Sequence, residues 1–477
     1  PHIINQNHTS IMFGLLLTLQ YPNAKDWRQR SVYQLLIDRF ASPTNKPCNT
    51  FQNKYCGGTI KAMTEKLDYI KGMGYNAVWI SPTLRQSEDM ENSYHGYWFG
   101  SFYETNPWIG TDEDLQTFVK EAHKRDIWVM ADVVYNHVGN CFGADHKIDP
   151  DKYSCIKPFD KEEHYHKRCD IKSYDDPWQV INCRIAGLPD LNQENPEVKK
   201  ELISWAQWYQ NKFDFDAFRV DTVKHIDHHF WKDLRKATPW FNMGEIFVYN
   251  YDLIRDYMTE DQLHGAFNYP LFDSLKYVMG GGNSMDAISS RFRQTVELFG
   301  DRIHDMGTFF ENHDNERFLL HFNDPARFEN QLTIIHMWAG IPFLLYGAEQ
   351  DMSGGPDPDC RRALWDYGYD TNSKHYQFIK KLNHIRNKMK IGGLPQLELG
   401  FHGSAYAFSR GNKVLVVLNN QGSTGSNFIR VKTPFEANSQ ICNALIEGDC
   451  MNVGGDGFAE IQMHKGEPKV YVRSKDL

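Results

Sequence analysis

DAFRVDTVKH (residues 216–225) is an apolar run broken by charge at a two-residue spacing. Arg219 and Asp221 alternate with Phe218 and Val220. In a β-strand that period places Arg219 and Asp221 on one face. A carboxylate is poor core material, because burial without a partner costs several kcal/mol or forces the group to neutralise. Three more stretches share the pattern: Asp132 in ADVVYNH (131–137), Glu245 in MGEIF (243–247) and Asp314 in FFENHDN (309–315). In each, an acid follows a strand-like run and precedes a helix-like one. Four acids at strand ends point to one shared site.

Working outward, strand signals recur at 31–40, 76–82, 127–135, 216–222, 241–247, 265–270, 306–312 and 341–347. Helical periodicity lies between them. One intervening helix opens on a Thr111/Asp114 capping box and buries Leu115, Phe118, Val119 and Ala122; another starts at Pro196. Eight alternations predict an α/β fold, a (β/α)8 TIM barrel, over 27–136 and 192–395. The polar, cysteine-bearing stretch 137–191 loses all periodicity and reads as an irregular inserted subdomain after strand 3. From 396 to 477 short alternating strands predict a C-terminal antiparallel β-sandwich domain.

Composition narrows the function. A net charge of -9 with no basic stripe argues against nucleic acid as a partner. No run is long enough for a membrane span, so no membrane partner is expected. In the leading segment 1–26, the apolar run 11–19 reads as the remnant of a signal peptide, and Asn7-His8-Thr9 is a sequon upstream of it. Nine cysteines include four local pairs, Cys48/Cys56, Cys141/Cys155, Cys169/Cys183 and Cys442/Cys450, with Cys360 left over. Such spacing in loop-like sequence reads as disulfides in an oxidising compartment, hence a secreted, extracellular protein. Zinc would need CxxC spacing, which is absent.

At the strand ends, two carboxylic acids are the apparatus of retaining glycoside hydrolysis, one as nucleophile and one as acid/base. Arg219 would hold Asp221 ionised, although a structural ion pair explains the same spacing. His95, His137 and His313 are candidate donors to sugar hydroxyls.

The ordered motifs WRQRSVYQLLIDRF (27–40), CNTFQNKYCGGT (48–59), YHGYW (94–98), DVVYNH (132–137), LPDL (188–191), FRVDTVKH, GEI, FFENHDN and the Asp357/Arg361 pattern resemble the α-amylase family of glycoside hydrolases, most closely its secreted fungal type. The resemblance implies an endo-acting enzyme on α-1,4-glucans. Asp221 would be the nucleophile, Glu245 the acid/base and Asp314 the transition-state stabiliser. Arg219, His137 and His313 would support them. Tyr97, with His95 beside it, would stack on the sugar before the scissile bond, and Asp357 and Arg361 would bind the non-reducing side. Lys224 and His225 would line the leaving-group side, and Trp98 and Tyr174 would be further substrate contacts.

The resemblance also implies a calcium cofactor held by Asn136, Asp190 and the carbonyls of His225 and Ile181, and a monomer acting on an α-glucan partner. Cys48/Cys56 and Cys169/Cys183 match family disulfides, whereas Cys141/Cys155 is an addition and Cys442/Cys450 a rearrangement. The stretch after Glu245, Ile246-Phe247-Val248-Tyr249, departs from the fungal pattern. The alternatives are an exo-acting α-glucosidase or glucanotransferase on the same barrel, or a non-catalytic glucan-binding protein. Loss of one acid would mark the last, and all three are present.

Overall fold

The computed structural model describes residues 21–87, 92–281 and 283–477; the signal-like run and the sequon lie outside them. Eight parallel strands form one sheet: β1 (Val32–Leu35), β2 (Ala77–Ile80), β3 (Trp128–Val133), β4 (Ala217–Val220), β5 (Phe241–Gly244), β6 (Gly265–Ala266), β7 (Gly307–Thr308) and β8 (Ile341–Leu345). Their order is β6-β5-β4-β3-β2-β1-β8-β7, and a parallel bridge from Phe267 to Gly307 joins the two ends. All eight strands expected from the sequence are present. β6 and β7 are only two residues long, because the next helix starts at Tyr269 with Pro270 in its first turn and the chain leaves β7 for the site loop.

Alternation decides what fills the barrel. Val32, Ala77, Trp79, Met130, Ala217, Phe241, Met243, Ile341 and Phe343 form one buried cluster in its interior. Their neighbours Tyr33, Val78, Val129, Ala131, Phe218 and Leu344 belong to the cluster shared with the surrounding helices. Continued by two-residue steps, the inward row reaches Gln34, Asp132, Arg219, Asp221 and Glu245, so the polar layer sits directly above the apolar plug. The helix Asp112–Lys124 begins at the Thr111 capping box and buries Leu115, Phe118, Val119 and Ala122. Ile60, Met63, Leu67 and Ile70 have the spacing of one helical face, yet Lys66 divides Ile60–Glu65 from Leu67–Gly72.

The leading segment ends earlier than the sequence suggests. Tyr21 donates to Gln210 Oε1 (2.8 Å), and Asn23 caps the turn Ala24–Trp27, whose Trp27 is fully buried against the barrel interior.

Beyond the helix Lys374–Met389 lie β9 (Gln396–His402), β10 (Ala405–Arg410), β11 (Val414–Asn419), β12 (Asn427–Lys432), β13 (Gln440–Asn443), β14 (Cys450–Asn452), β15 (Phe458–Met463) and β16 (Lys469–Arg473). Six make an antiparallel sheet in the order β9-β10-β11-β16-β13-β14, and β12 pairs with β15. Ala407, Leu415, Val417 and Tyr471 of the large sheet pack against Ile429, Val431 and Ile461 of the small one. The other face meets the barrel, where Trp338 packs edge-on against Phe408 and Arg410 donates to the Met337 carbonyl (2.7 Å).

Candidate active site

One guanidinium organises the centre. Arg219 Nη1 donates to Asp221 Oδ1 (2.8 Å) and to both oxygens of Asp132 (2.9 and 3.2 Å), while its Nη2 lies 3.0 Å from Glu245 Oε2. Asp132 and Arg219 are register partners on adjacent strands, which makes this contact a direct product of the β3–β4 pairing. Just past β4 the chain turns left-handed at Thr222 (φ 49°), and its N–H donates to Glu245 Oε2 (3.0 Å). Glu245 Oε1 accepts from Tyr269 (3.3 Å).

Burial pushes the Asp221 carboxyl well above the ordinary range, Arg219 pulls it down, and Glu245, Asp132 and Asp314 push it up again. Burial likewise raises Asp132 to about 6, against the pull of Arg219, Tyr97 and Trp79. For Arg219 burial opposes the charge, but Asp132 and Glu245 outweigh it, so the guanidinium stays charged.

A second set of contacts links the opposite wall. Tyr97 donates to Asp132 Oδ2 (2.7 Å), lies 2.8 Å from His313 Nε2 and stacks on its ring at 5.5 Å. Gln34 fixes the other ring nitrogen of His313 at 2.7 Å. His95 stacks on Tyr97 and meets Trp98 edge-on. Burial, reinforced by Arg361, holds both His95 and His313 far below the usual imidazole range, so they are neutral hydrogen-bonding groups. Asp314 pairs with Arg361 (3.0 Å), whose other nitrogens reach Asp357 (3.2 Å) and the His313 carbonyl (2.6 Å). Asp314 is the most open of the acids, with 38% of its side chain exposed.

On the other side of Glu245 a cleft of about 380 Å³ is lined by Tyr174, Lys224, His225, Phe247 and Tyr249. Lys224 lies over the Tyr174 ring (5.2 Å) and donates to the Phe247 carbonyl (2.8 Å), which fixes the unusual loop after Glu245. Phe247 and Tyr249 remain 41% and 47% exposed, so the loop after Glu245 presents ring faces to the cleft.

Insert and barrel meet beside His137. The Asn136 side-chain amide stands 2.9 Å from the His225 carbonyl oxygen and 3.3 Å from Asp190 Oδ1. With its nitrogen toward them the amide donates twice; with its oxygen toward them three acceptors converge, the donor set of a hard cation. Ile181 adjoins Val180, whose carbonyl lies 2.9 Å from His225 Nδ1. Among the described residues no three His, Cys, Asp or Glu side chains converge as a metal cluster; here amide and carbonyl oxygens do. Disulfides join Cys48–Cys56, Cys141–Cys155, Cys169–Cys183 and Cys442–Cys450, all four expected pairs. Cys360 is free and buried, with its thiol 3.4 Å from the His313 carbonyl.

Family models for the α-amylase catalytic domain and for α-amylase domain C match residues 34–372 and 399–477. The chain belongs to the α-amylase family. It is therefore a glycoside hydrolase by membership. Among its relatives, an α-amylase of Saccharomycopsis fibuligera is 33% identical over 95% of this chain and 93% of its own length. Alpha-amylase 3 of Schizosaccharomyces pombe is 34% identical over 94% of this chain and 82% of its own. The solved α-amylase of Malbranchea cinnamomea superposes with a TM-score of 0.90 at 32% identity, covering 96% of this chain and 98% of that one.

The structure thus brings the predicted site residues into two adjoining groups, one around Arg219 and one at the Asn136–Asp190–His225 junction. Sequence reading passed over Gln34, Trp79 and Tyr269. Trp79 donates to Asp132 Oδ2 (2.9 Å), and Tyr269 ties Glu245 to Asn312 (3.1 Å). Gln34 carried a usable signal, being a polar residue in the inward row of an otherwise apolar strand. Tyr269 carried none, since it starts a helix.

Proposed function

We propose that the protein is an endo-acting α-amylase that cleaves internal α-1,4 bonds of starch, glycogen and maltooligosaccharides with retention of configuration. The observation that carries this reading is the single Arg219 fork gripping both Asp221 and Glu245. Its charge pulls Asp221 toward the ionised form that a nucleophile needs, against burial and the neighbouring acids, and it holds Glu245 beside Asp221 as the second carboxyl of a retaining pair. In the first step Glu245 gives its proton to the glycosidic oxygen while an Asp221 oxygen bonds the anomeric carbon and the leaving glucan departs. In the second, Glu245 takes a proton from water, the hydroxyl bonds the anomeric carbon, and the ester to Asp221 breaks. Asp314, His137 and His313 bind ring hydroxyls, with Tyr97 stacking on the sugar. Asp357 and Arg361 hold the non-reducing side, and Lys224 and Tyr174 the leaving group.

Asn136, Asp190 and the His225 carbonyl fit a calcium ion, which when bound would tie the insert to the barrel wall behind His137. Four disulfides support an extracellular site of action. Among the described residues no helix is long and apolar enough to cross a membrane.

Soluble starch tests the mode of attack. An endo enzyme abolishes iodine staining while few reducing ends have formed; release of glucose alone, with staining lost in proportion, would support the exo-acting alternative.

A further inference from the structure

Trp108 is unusual among the large aromatic side chains of the rim. It is 48% exposed, yet its indole is fixed: it stacks on Tyr55 with ring centroids 5.1 Å apart and planes 22° apart. Asn106 holds both partners, donating to the Tyr55 hydroxyl (2.7 Å) and accepting from the Trp108 N–H of the backbone (3.1 Å). The indole borders a groove of about 510 Å³, with Pro43, Lys61, Glu65, Pro107 and Asp114 among its walls. Asp114 is engaged in its capping box, but among the described residues Lys61 and Glu65 have no ion-pair or hydrogen-bond partner. A rigid ring face beside two uncommitted polar side chains suits a ligand with both apolar C–H faces and hydroxyl edges.

The groove lies where the helices following β1 and β2 begin, on the same barrel face as Asp221. Its loop is also tied to the non-reducing end of the cleft. Arg39 donates to the Lys54 carbonyl (2.9 Å) and to the Arg361 carbonyl (3.0 Å) and lies 3.8 Å over the Tyr94 ring, and Tyr94 donates to Asp357 (3.1 Å). No residue of the groove touches the acids, so it is separate from the cleft yet held in fixed relation to it.

We propose that the Trp108 groove is a second α-glucan binding site, which grips a distant stretch of the same polymer whose internal bond enters the cleft. This rests on the reading that the substrate is an α-glucan. Short oligosaccharides cannot reach both places, whereas a polymer held at Trp108 has its local concentration at the cleft raised.

The test is Trp108→Ala in the full chain, assayed on soluble amylopectin and on maltotetraose, with native electrophoresis in gels containing amylopectin. The expected result is a KM for amylopectin raised about three- to tenfold and weaker gel retardation, with kcat/KM on maltotetraose unchanged and Trp108→Tyr largely restoring the native values. Equal amylopectin KM and retardation in Trp108→Ala and the native protein would overturn the proposal. If Trp108→Ala lowers thermal stability, Lys61→Ala/Glu65→Ala carries the same test, since neither side chain holds any part of the fold; unchanged retardation there would overturn it too. Failure of the native protein to cleave amylopectin at all would instead refute the α-amylase reading, which separates the two failures.

Discussion

Replacing Arg219 by Met removes the cation that three carboxylates share. Asp132 keeps Trp79 and Tyr97, and Glu245 keeps Thr222 and Tyr269, but Asp221 is left facing Asp132, Glu245 and Asp314 without its guanidinium. Unit charges about 4 Å apart at an effective dielectric of about 20 interact by about 4 kcal/mol. That corresponds to roughly a thousandfold change in the fraction of Asp221 that is ionised at a given pH. The sign follows from the chemistry. The working form of Asp221 is the anion, burial already pushes its carboxyl up, and loss of Arg219 pushes it further. Activity on maltotetraose should therefore fall about 10²- to 10³-fold near neutral pH, and the acid limb of the kcat/KM profile should move to higher pH. Arg219→Lys keeps a charge but has one nitrogen where the native fork uses two, and should fall between. Circular dichroism establishes that each variant is folded. A folded Arg219→Met enzyme within about threefold of native kcat/KM, with its acid limb unmoved, would refute the reasoning.

Other perturbations probe separate parts of the account. Adding calcium to chelator-treated protein at about 100 times its Kd should stabilise the fold by about 2.7 kcal/mol in denaturant titrations, and Asp190→Ala should abolish that gain; stability indifferent to calcium would refute the assignment of Asn136, Asp190 and His225. Tyr269→Phe removes the hydroxyl that meets Glu245 and should lower kcat about tenfold with little change in KM; unaltered kcat would show that Tyr269 does not position the acid. Cys360 is fully buried and burial pushes its thiol up to about 11, so native protein at mildly alkaline pH should neither react with a thiol reagent nor lose activity. Rapid labelling without denaturant would contradict that placement.

Much of this was legible in the sequence because strand periodicity and site geometry are the same fact. Asp221 lies two residues beyond Arg219, so the alternation that buries Phe218 outward turns both charges inward, and the bond between them follows. The eight strands, the Thr111 cap and the four local disulfides rest on equally short-range rules. What escaped depends on pairing between distant strands or on loops. The Asp132–Arg219 contact needs the β3–β4 register, 87 residues apart in sequence. Tyr269 is aimed at Glu245 only because β6 stops after two residues and its helix starts early. The break at Lys66 fell inside a continuous apolar stripe, which periodicity alone reads as one helix. The meeting of Asn136, Asp190 and a backbone carbonyl has no side-chain signature, and its legibility came from family resemblance.

The central claim is that Asp221 attacks the anomeric carbon and Glu245 completes the reaction with water. Proton NMR of a maltooligosaccharide digest, recorded before mutarotation, reads the outcome directly. Two successive inversions at the anomeric carbon must release the new reducing end as the α anomer, and Asp221→Asn should suppress its appearance by about 10⁴-fold. First-formed β anomer, or undiminished release by Asp221→Asn, would contradict the account.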